Sequence, residues 1–215
     1  MDQIKKKVNF SKVFWVFIVG SVIGCIVETI VCLVQKGHFE VRQGVIYGPF
    51  IPIYGLGAVM FYFVVTHIKE TKDVFFISMV LGGFVEYISS YVQQACFGTV
   101  SWDYSNLWFD INGRTSLLHC IYWGIAGILF VKMVYPFINR LDLTNRKLKY
   151  ATAILAIFMA FNISISWAAG VRQEERWKKI ENTSQVARFL DTYYPDEVMN
   201  FIFPNRKIRI EPKER

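Results

Sequence analysis

The sequence predicts an all-α fold, a polytopic membrane helix bundle of about five transmembrane helices with a parallel internal repeat of two-helix units. Three observations predict it. Apolar runs long enough to cross a bilayer are separated by short polar turns. Hydrophobic residues make up 53% and aromatic residues 17% against 19% charged, and the mean hydropathy is +0.32. A spacing of small residues and glutamate occurs twice. Since a spanning helix needs ~20 mostly apolar residues to cross ~30 Å of hydrocarbon, most of the 215 residues are committed to the membrane. The formal charge of +7 collects at helix ends, where topology accounts for it. Nucleic acid is therefore not expected as a partner.

The elements follow in order. Lys5, Lys6, Lys7 and Lys12 precede an apolar run from about Val13 to Val34, too long for the core of a signal peptide and without a small-residue cleavage site, so it reads as a retained first helix. Gln35, Lys36 and Gly37 end it. The stretch from Tyr47 to Gly55 is apolar, yet Pro49 and Pro52 remove backbone donors and discourage a regular helix, which suits a re-entrant segment buried against protein. A second span is expected from about Ile53 to Thr66, a third from about Val74 to Ala95, a fourth from about Leu117 to Phe137 and a fifth from about Leu148 to Trp167. The loop from Cys96 to Ser116 carries Trp102, Tyr104, Trp108 and Phe109, rings that sit well at headgroup level. The corresponding organisation is a basic N-terminus over 1–12, a transmembrane domain over 13–169 with repeat units of about 13–68 and 74–137, and a polar tail over 170–215.

Lysines and arginines near helix ends set the orientation. The N-terminus, the turn at 67–73 (Lys69, Lys72) and the connection at 139–149 (Arg140, Arg146, Lys147, Lys149) are basic, whereas the intervening loops hold only Lys36, Arg42 and Arg114. The positive-inside rule places the N-terminus in the cytoplasm of a multi-pass plasma-membrane protein. Five spans then put the tail outside, although it is rich in basic residues; a sixth partial span or a four-span arrangement with an interfacial fifth segment also fits.

The repeat brings the chemistry. Gly20, Gly24 and Glu28 recur as Ser78, Gly82 and Glu86, each set on one helix face. Ile53-Tyr54-Gly55-Leu56-Gly57 matches Ile121-Tyr122-Trp123-Gly124-Ile125-Ala126-Gly127, and each intervening loop sets an arginine near a glycine, Arg42 with Gly44 and Arg114 with Gly113. An ionised carboxylate in hydrocarbon is costly, so intramembrane acids face protein or a wet cavity and find partners. Glu28 and Glu86 are thus the leading candidates for substrate binding, expected to face each other across the repeat axis in the outer half of the bilayer. Arg42 and Arg114 could neutralise them, and Tyr54, Trp102, Asp103, Asn112 and Trp123 are candidates for the pocket lining. The alternative is that the four charges form a lock that fixes helix register. His119 at the head of the fourth span is expected to pack rather than to ligate, and Cys96 and Cys120 leave a disulfide open beside free packed thiols. No C-x-x-C pair, metal cluster, nucleophile elbow or G-x-x-x-x-G-K-[ST] loop occurs. No cofactor, metal or catalytic residue is expected, and ATP hydrolysis needs a separate subunit.

The segment Arg42-Gln-Gly-Val-Ile-Tyr-Gly-Pro-Phe-Ile-Pro-Ile-Tyr-Gly55, with Ser101-Trp-Asp-Tyr-Ser105 and Asn112-Gly-Arg114, resembles the bacterial CmpB family of type IV ABC-transporter permeases. The resemblance covers about residues 10 to 170 and implies a multi-span membrane location; it carries no assigned substrate or site. The function expected is an ABC permease-like component with a polar intramembrane pocket, working with an ATPase subunit or as a homo-oligomer among membrane lipids. An intramembrane enzyme acting on lipids or lipid-linked substrates, with one glutamate as general base, and an assembly or structural factor are the alternatives. The side of the tail separates them, since an inside tail gives an ATPase a docking surface.

Overall fold

The computed structural model describes residues 9–208; Lys5, Lys6 and Lys7 of the orientation argument lie outside them. Helix α1 spans Phe10–Lys36, capped at its start by Asn9, whose side chain accepts from the Ser11 amide, and closed by Gly37 at φ 72°, a left-handed position that glycine adopts without steric cost. Helix α2 covers Pro52–Val64 and continues as one 3-10 turn, Val65–His67. Helix α3 covers Thr71–Phe97 and ends on Gly98 at φ 59°. Short strands follow: β1 (Thr99–Val100), β2 (Asp110–Ile111) and β3 (Thr115–Ser116), with β2 and β3 paired antiparallel. Helix α4, Leu117–Leu129, runs through a π turn at Phe130–Val134 into α5, Tyr135–Arg140. Pro136 explains the turn: it has no N–H for the Lys132 carbonyl, and the ladder widens just before it.

Helix α6, Arg146–Trp177, is followed by α7 (Gln185–Tyr193), α8 (Asp196–Ile202) and β4 (Lys207–Ile208). Among the described residues, four helices are long and apolar enough to cross a membrane: Phe10–Lys36, Thr71–Phe97, Leu117–Arg140 and Arg146–Trp177. The second expected span, about 53–66, is instead the shorter apolar helix Pro52–His67. Its start is set by the prolines. The Ile51 amide donates to the Ser21 carbonyl at 3.1 Å, so α2 begins beside the middle of α1 rather than at its end.

The segment between α1 and α2 accordingly turns back into the bundle without regular structure. Its backbone is satisfied by α6: Ser166 Oγ accepts from the Ile46 amide at 2.8 Å, and Asn162 accepts from the Tyr47 amide and donates to the Tyr47 carbonyl. Irregular backbone at membrane depth needs such internal partners because hydrocarbon offers none. The outward faces are apolar: Ile23, Ile26, Ile30 and Val34 of α1 and Phe76, Val80 and Phe84 of α3 are exposed.

The two ends of the bundle differ. At the end where α1 starts, Lys12 bonds Asn139 and lies over the rings of Tyr62 and Tyr135, and the Trp15 indole donates to Thr152. The opposite end carries the loops after α1 and α3 together with the tail. Helix α6 extends beyond the expected limit near Trp167, and its Arg172 holds Asp191 of α7 through two hydrogen bonds of 2.9 and 2.7 Å. Strand β4 pairs antiparallel with β1. Arg206 stacks against Phe97 and Phe203 and donates to Thr99 and Gln173; burial lowers its pKa to about 10, which leaves it a cation at neutral pH. The region over 170–215 therefore includes a folded cap on the end opposite the start of α1. All four cysteines are free.

Candidate functional site

Helices α1 and α2, and helices α3 and α4, pack as two close pairs whose contacts match. Gly24 lets the Tyr54 side chain lie directly on α1, and Gly82 lets the Trp123 side chain lie on α3; a Cβ at either glycine would collide with the ring-bearing side chain. In the residue after each ring, a Cβ on Gly55 would meet the Phe17 carbonyl oxygen at 2.7 Å, and one on Gly124 would meet that of Phe75 at 3.0 Å. Small residues at these positions allow backbone-to-backbone approach. Between the pairs, the rings of Tyr54 and Trp123 lie 5.4 Å apart.

Each of the two ring-bearing side chains reaches the glutamate one turn beyond its glycine. The Tyr54 phenol donates to Glu28 Oε1 at 2.6 Å. Glu86 is buried, with 6% of its surface exposed. It accepts from Thr115 Oγ1 at 2.7 Å and Tyr104 OH at 3.1 Å, and Trp123 also comes within reach of it. The two carboxylates thus stand at the ends of one polar and aromatic chain, Glu28, Tyr54, Trp123, Glu86. Tyr104, in the loop after α3, has its phenol pKa pushed far above the ordinary value by burial and then by the Glu86 carboxylate. It remains a donor at any physiological pH. Its ring stacks on His119 at 3.6 Å, and His119 Nδ1 lies 2.9 Å from Ser116 Oγ.

The arginines take other partners. Arg42 lies 3.6 Å from Glu40, which also receives Lys36 at 2.5 Å and Cys32 at 3.2 Å. The hydrogen bond from Lys36, and then that from Cys32, holds the Glu40 carboxyl below its usual range. Arg42 Nε is buried without a hydrogen-bond partner, and the Arg42 carbonyl accepts from Cys25 at 2.8 Å. Arg114 donates to Ser90 at 3.3 Å and Gln94 at 2.5 Å and lies over the rings of Tyr87 and Tyr91. Among the described residues, no ion pair within 4 Å joins either arginine to Glu28 or Glu86. Yet the anchoring positions correspond: Cys32 and Lys36 hold the first loop as Ser90 and Gln94 hold the second.

The remaining candidates shape the loops. Trp102 donates to the Arg114 carbonyl at 2.8 Å. Asp103 accepts from the Ser105 amide and hydroxyl, and Asn112, at φ 54°, donates to the Tyr87 hydroxyl at 3.1 Å. Of the direct partners of Glu86, Tyr104 is expected from the sequence only as a ring at headgroup level, and Thr115 carries no sequence signal of its own. Asn162 and Ser166 are not among the sequence candidates, although an asparagine in the middle of an apolar helix is a legible signal. Among the described residues, no group of three or more His, Cys, Asp or Glu side chains is placed to hold a metal ion.

A protein-family model with the description "Putative ABC-transporter type IV" matches residues 15–167. Those residues contain both helix pairs, both glutamates, the irregular segment and most of the apolar length of α6. No curated protein and no solved structure matches the chain.

Proposed function

Taking as premise that the chain belongs to the CmpB family of ABC-transporter components, we propose that it is a plasma-membrane permease component whose substrate is engaged at Glu28 and Glu86. The observation that carries this reading is that Glu86 is buried in a helix long and apolar enough to span a membrane, among neutral donors, with no cation of the described residues in ion-pair range. Acids in such positions mark substrate or ion pathways, because the cost of burying them is tolerated for a purpose. The chemistry fits a substrate group that carries positive charge. Tyr54 and Trp123 set aromatic rings beside the two carboxylates, and aromatic rings attract cations as well. Arg42 and Arg114 act in this reading as loop anchors that keep the mouth in shape, and Trp102, Asp103 and Asn112 belong to the same rim.

We further read the two helix pairs as a parallel repeat over about 13–68 and 74–137, related by an axis along the membrane normal. Supporting it are the matched contacts of Gly24 with Tyr54 and Gly82 with Trp123, each one turn below a glutamate. Helix α2 serves as a shortened second span of the five, lengthened toward the outer side by the irregular segment clamped to Asn162. The end bearing Lys12, Lys69, Lys72, Arg140 and Arg146 is the cytoplasmic one by the positive-inside rule. The tail then lies outside, and an ATPase would have to dock on the turns between α2 and α3 and between α5 and α6.

The test is affinity purification of the full chain from its native membrane in mild detergent, followed by mass spectrometry. Recovery of an ATPase subunit in constant ratio, lost on exchanging the basic residues of those two turns, supports the reading. An ATPase bound instead through the tail, or none under conditions that retain lipid, contradicts it.

A further inference from the structure

The tail helices carry two apolar stripes, and α6 uses only one of them. Ala187 and Leu190 of α7 and Tyr194 at its end are buried, and Leu190, Tyr194 and Met199 of α8 pack with Ile165, Ala168 and Ala169 of α6. A second stripe on α7, Val186, Phe189 and Tyr193, is exposed, with fractions of 64, 48 and 62%, and so is Phe201 of α8, at 70%. Three large apolar side chains exposed at helical spacing on α7, with Phe201 exposed on α8, are unexpected for a solvated cap.

Their depth is set by what they touch. Ala168 and Ala169 end the apolar part of α6, just before Arg172. Trp167, exposed in that same turn, continues the outward apolar surface that includes Ile163. The Tyr194 hydroxyl meets that of Tyr47 at 2.7 Å, and Tyr47 is tied to Asn162, inside the apolar stretch. The tail helices thus sit beside the last apolar turn of a membrane-spanning helix, where hydrocarbon gives way to headgroups. Exposed bases on the cap, Lys178, Lys179, Arg188 and Lys207, outnumber the exposed acids Glu181 and Glu197.

We propose that α7 and α8 form an interfacial platform at the end of α6, with the outward stripe of Phe189, Tyr193 and Phe201 in lipid and the neighbouring bases on anionic headgroups. Amphipathic helices with aromatic residues on one face and bases beside them bind membrane surfaces in this way. The platform fixes the height of α6, and through Tyr194 and Tyr47 it steadies the irregular segment between α1 and α2.

The test is photolabelling of the full chain in vesicles of phosphatidylethanolamine and phosphatidylglycerol containing a phospholipid with a diazirine high on its acyl chain. Label on the peptide covering 185–203, together with label around Ile163 and Trp167 of α6, is the expected result. A Phe189→Ser, Tyr193→Ser, Phe201→Ser variant loses the former and keeps the latter. Label confined to α6 in the unmodified protein overturns the proposal. Replacing phosphatidylglycerol by phosphatidylcholine is expected to lower the label on 185–203, and unchanged labelling overturns the part assigned to anionic headgroups.

Discussion

Asn162 binds both backbone polar groups of Tyr47, accepting from its N–H at 3.0 Å and donating to its C=O at 2.7 Å. This one side chain imitates a neighbouring strand for a residue that has none. Asn162 is fully buried, and it substitutes for the helical partners that Pro49 and Pro52 deny to the segment.

Replacing Asn162 by leucine should therefore leave two backbone groups unpaired at membrane depth. The expected loss is about 2 kcal/mol or more, since each orphaned buried group costs roughly 1–3 kcal/mol. Thermal unfolding in detergent would read it, and a melting temperature unchanged from the unmodified protein would show that the clamp does not matter.

Gly82 is expected to tolerate no side chain, because a Cβ there would enter the Trp123 side chain. Gly82→Leu should destabilise by about 1–3 kcal/mol through overpacking. Gly82→Leu with Trp123→Ala should recover part of that loss, a coupling that a double-mutant cycle measures. Simple additivity of the two changes would place the contact elsewhere.

The docking of the tail should depend on acid pH. The hydrogen bonds from Arg172 hold the Asp191 carboxyl below its usual value of 3.8, against a smaller opposing effect of burial, and Arg176 adds to the lowering. A carboxyl whose folded-state pKa is depressed contributes stability above its unfolded value and loses it as pH falls through the folded one. Limited proteolysis of the tail should thus be flat above 3.8 and rise below it. Asp191→Asn should be cut at every pH, and a tail released instead on raising pH would refute the assignment.

Much of this arrangement was legible in the residues. Apolar runs located α1, α3, α4 and α6 because hydropathy alone decides which helices bilayers accept, and the spacing of Gly24 and Glu28, repeated at Gly82 and Glu86, pointed to the helix contacts now seen with Tyr54 and Trp123. The shortness of α2 was harder to read, since its start depends on a hydrogen bond from Ile51 to Ser21 across the bundle. The partners of the arginines were also obscure. Opposite charge suggested Glu28 and Glu86, but Arg42 reaches Glu40 on its own loop and Arg114 reaches Ser90 and Gln94 one and two turns beyond Glu86. Long side chains choose partners by tertiary geometry, which spacing along the chain does not encode. The cap was hidden for a similar reason: Arg172, Arg176 and Asp191 look like solvated charges until the chain folds back and pairs them.

What Glu28 and Glu86 hold is open to direct measurement. The full chain and a Glu28→Gln, Glu86→Gln variant would be purified in mild detergent and compared by native mass spectrometry, with Glu40→Gln as a control that changes an acid outside the pair. Glutamine keeps an acceptor for Tyr54 and Thr115, so the variant should fold. A cationic small molecule or lipid bound to the unmodified protein and to the control is expected to be absent from the double variant. Retention of the same species by all three proteins would contradict this expectation and leave the glutamates as a lock on helix register.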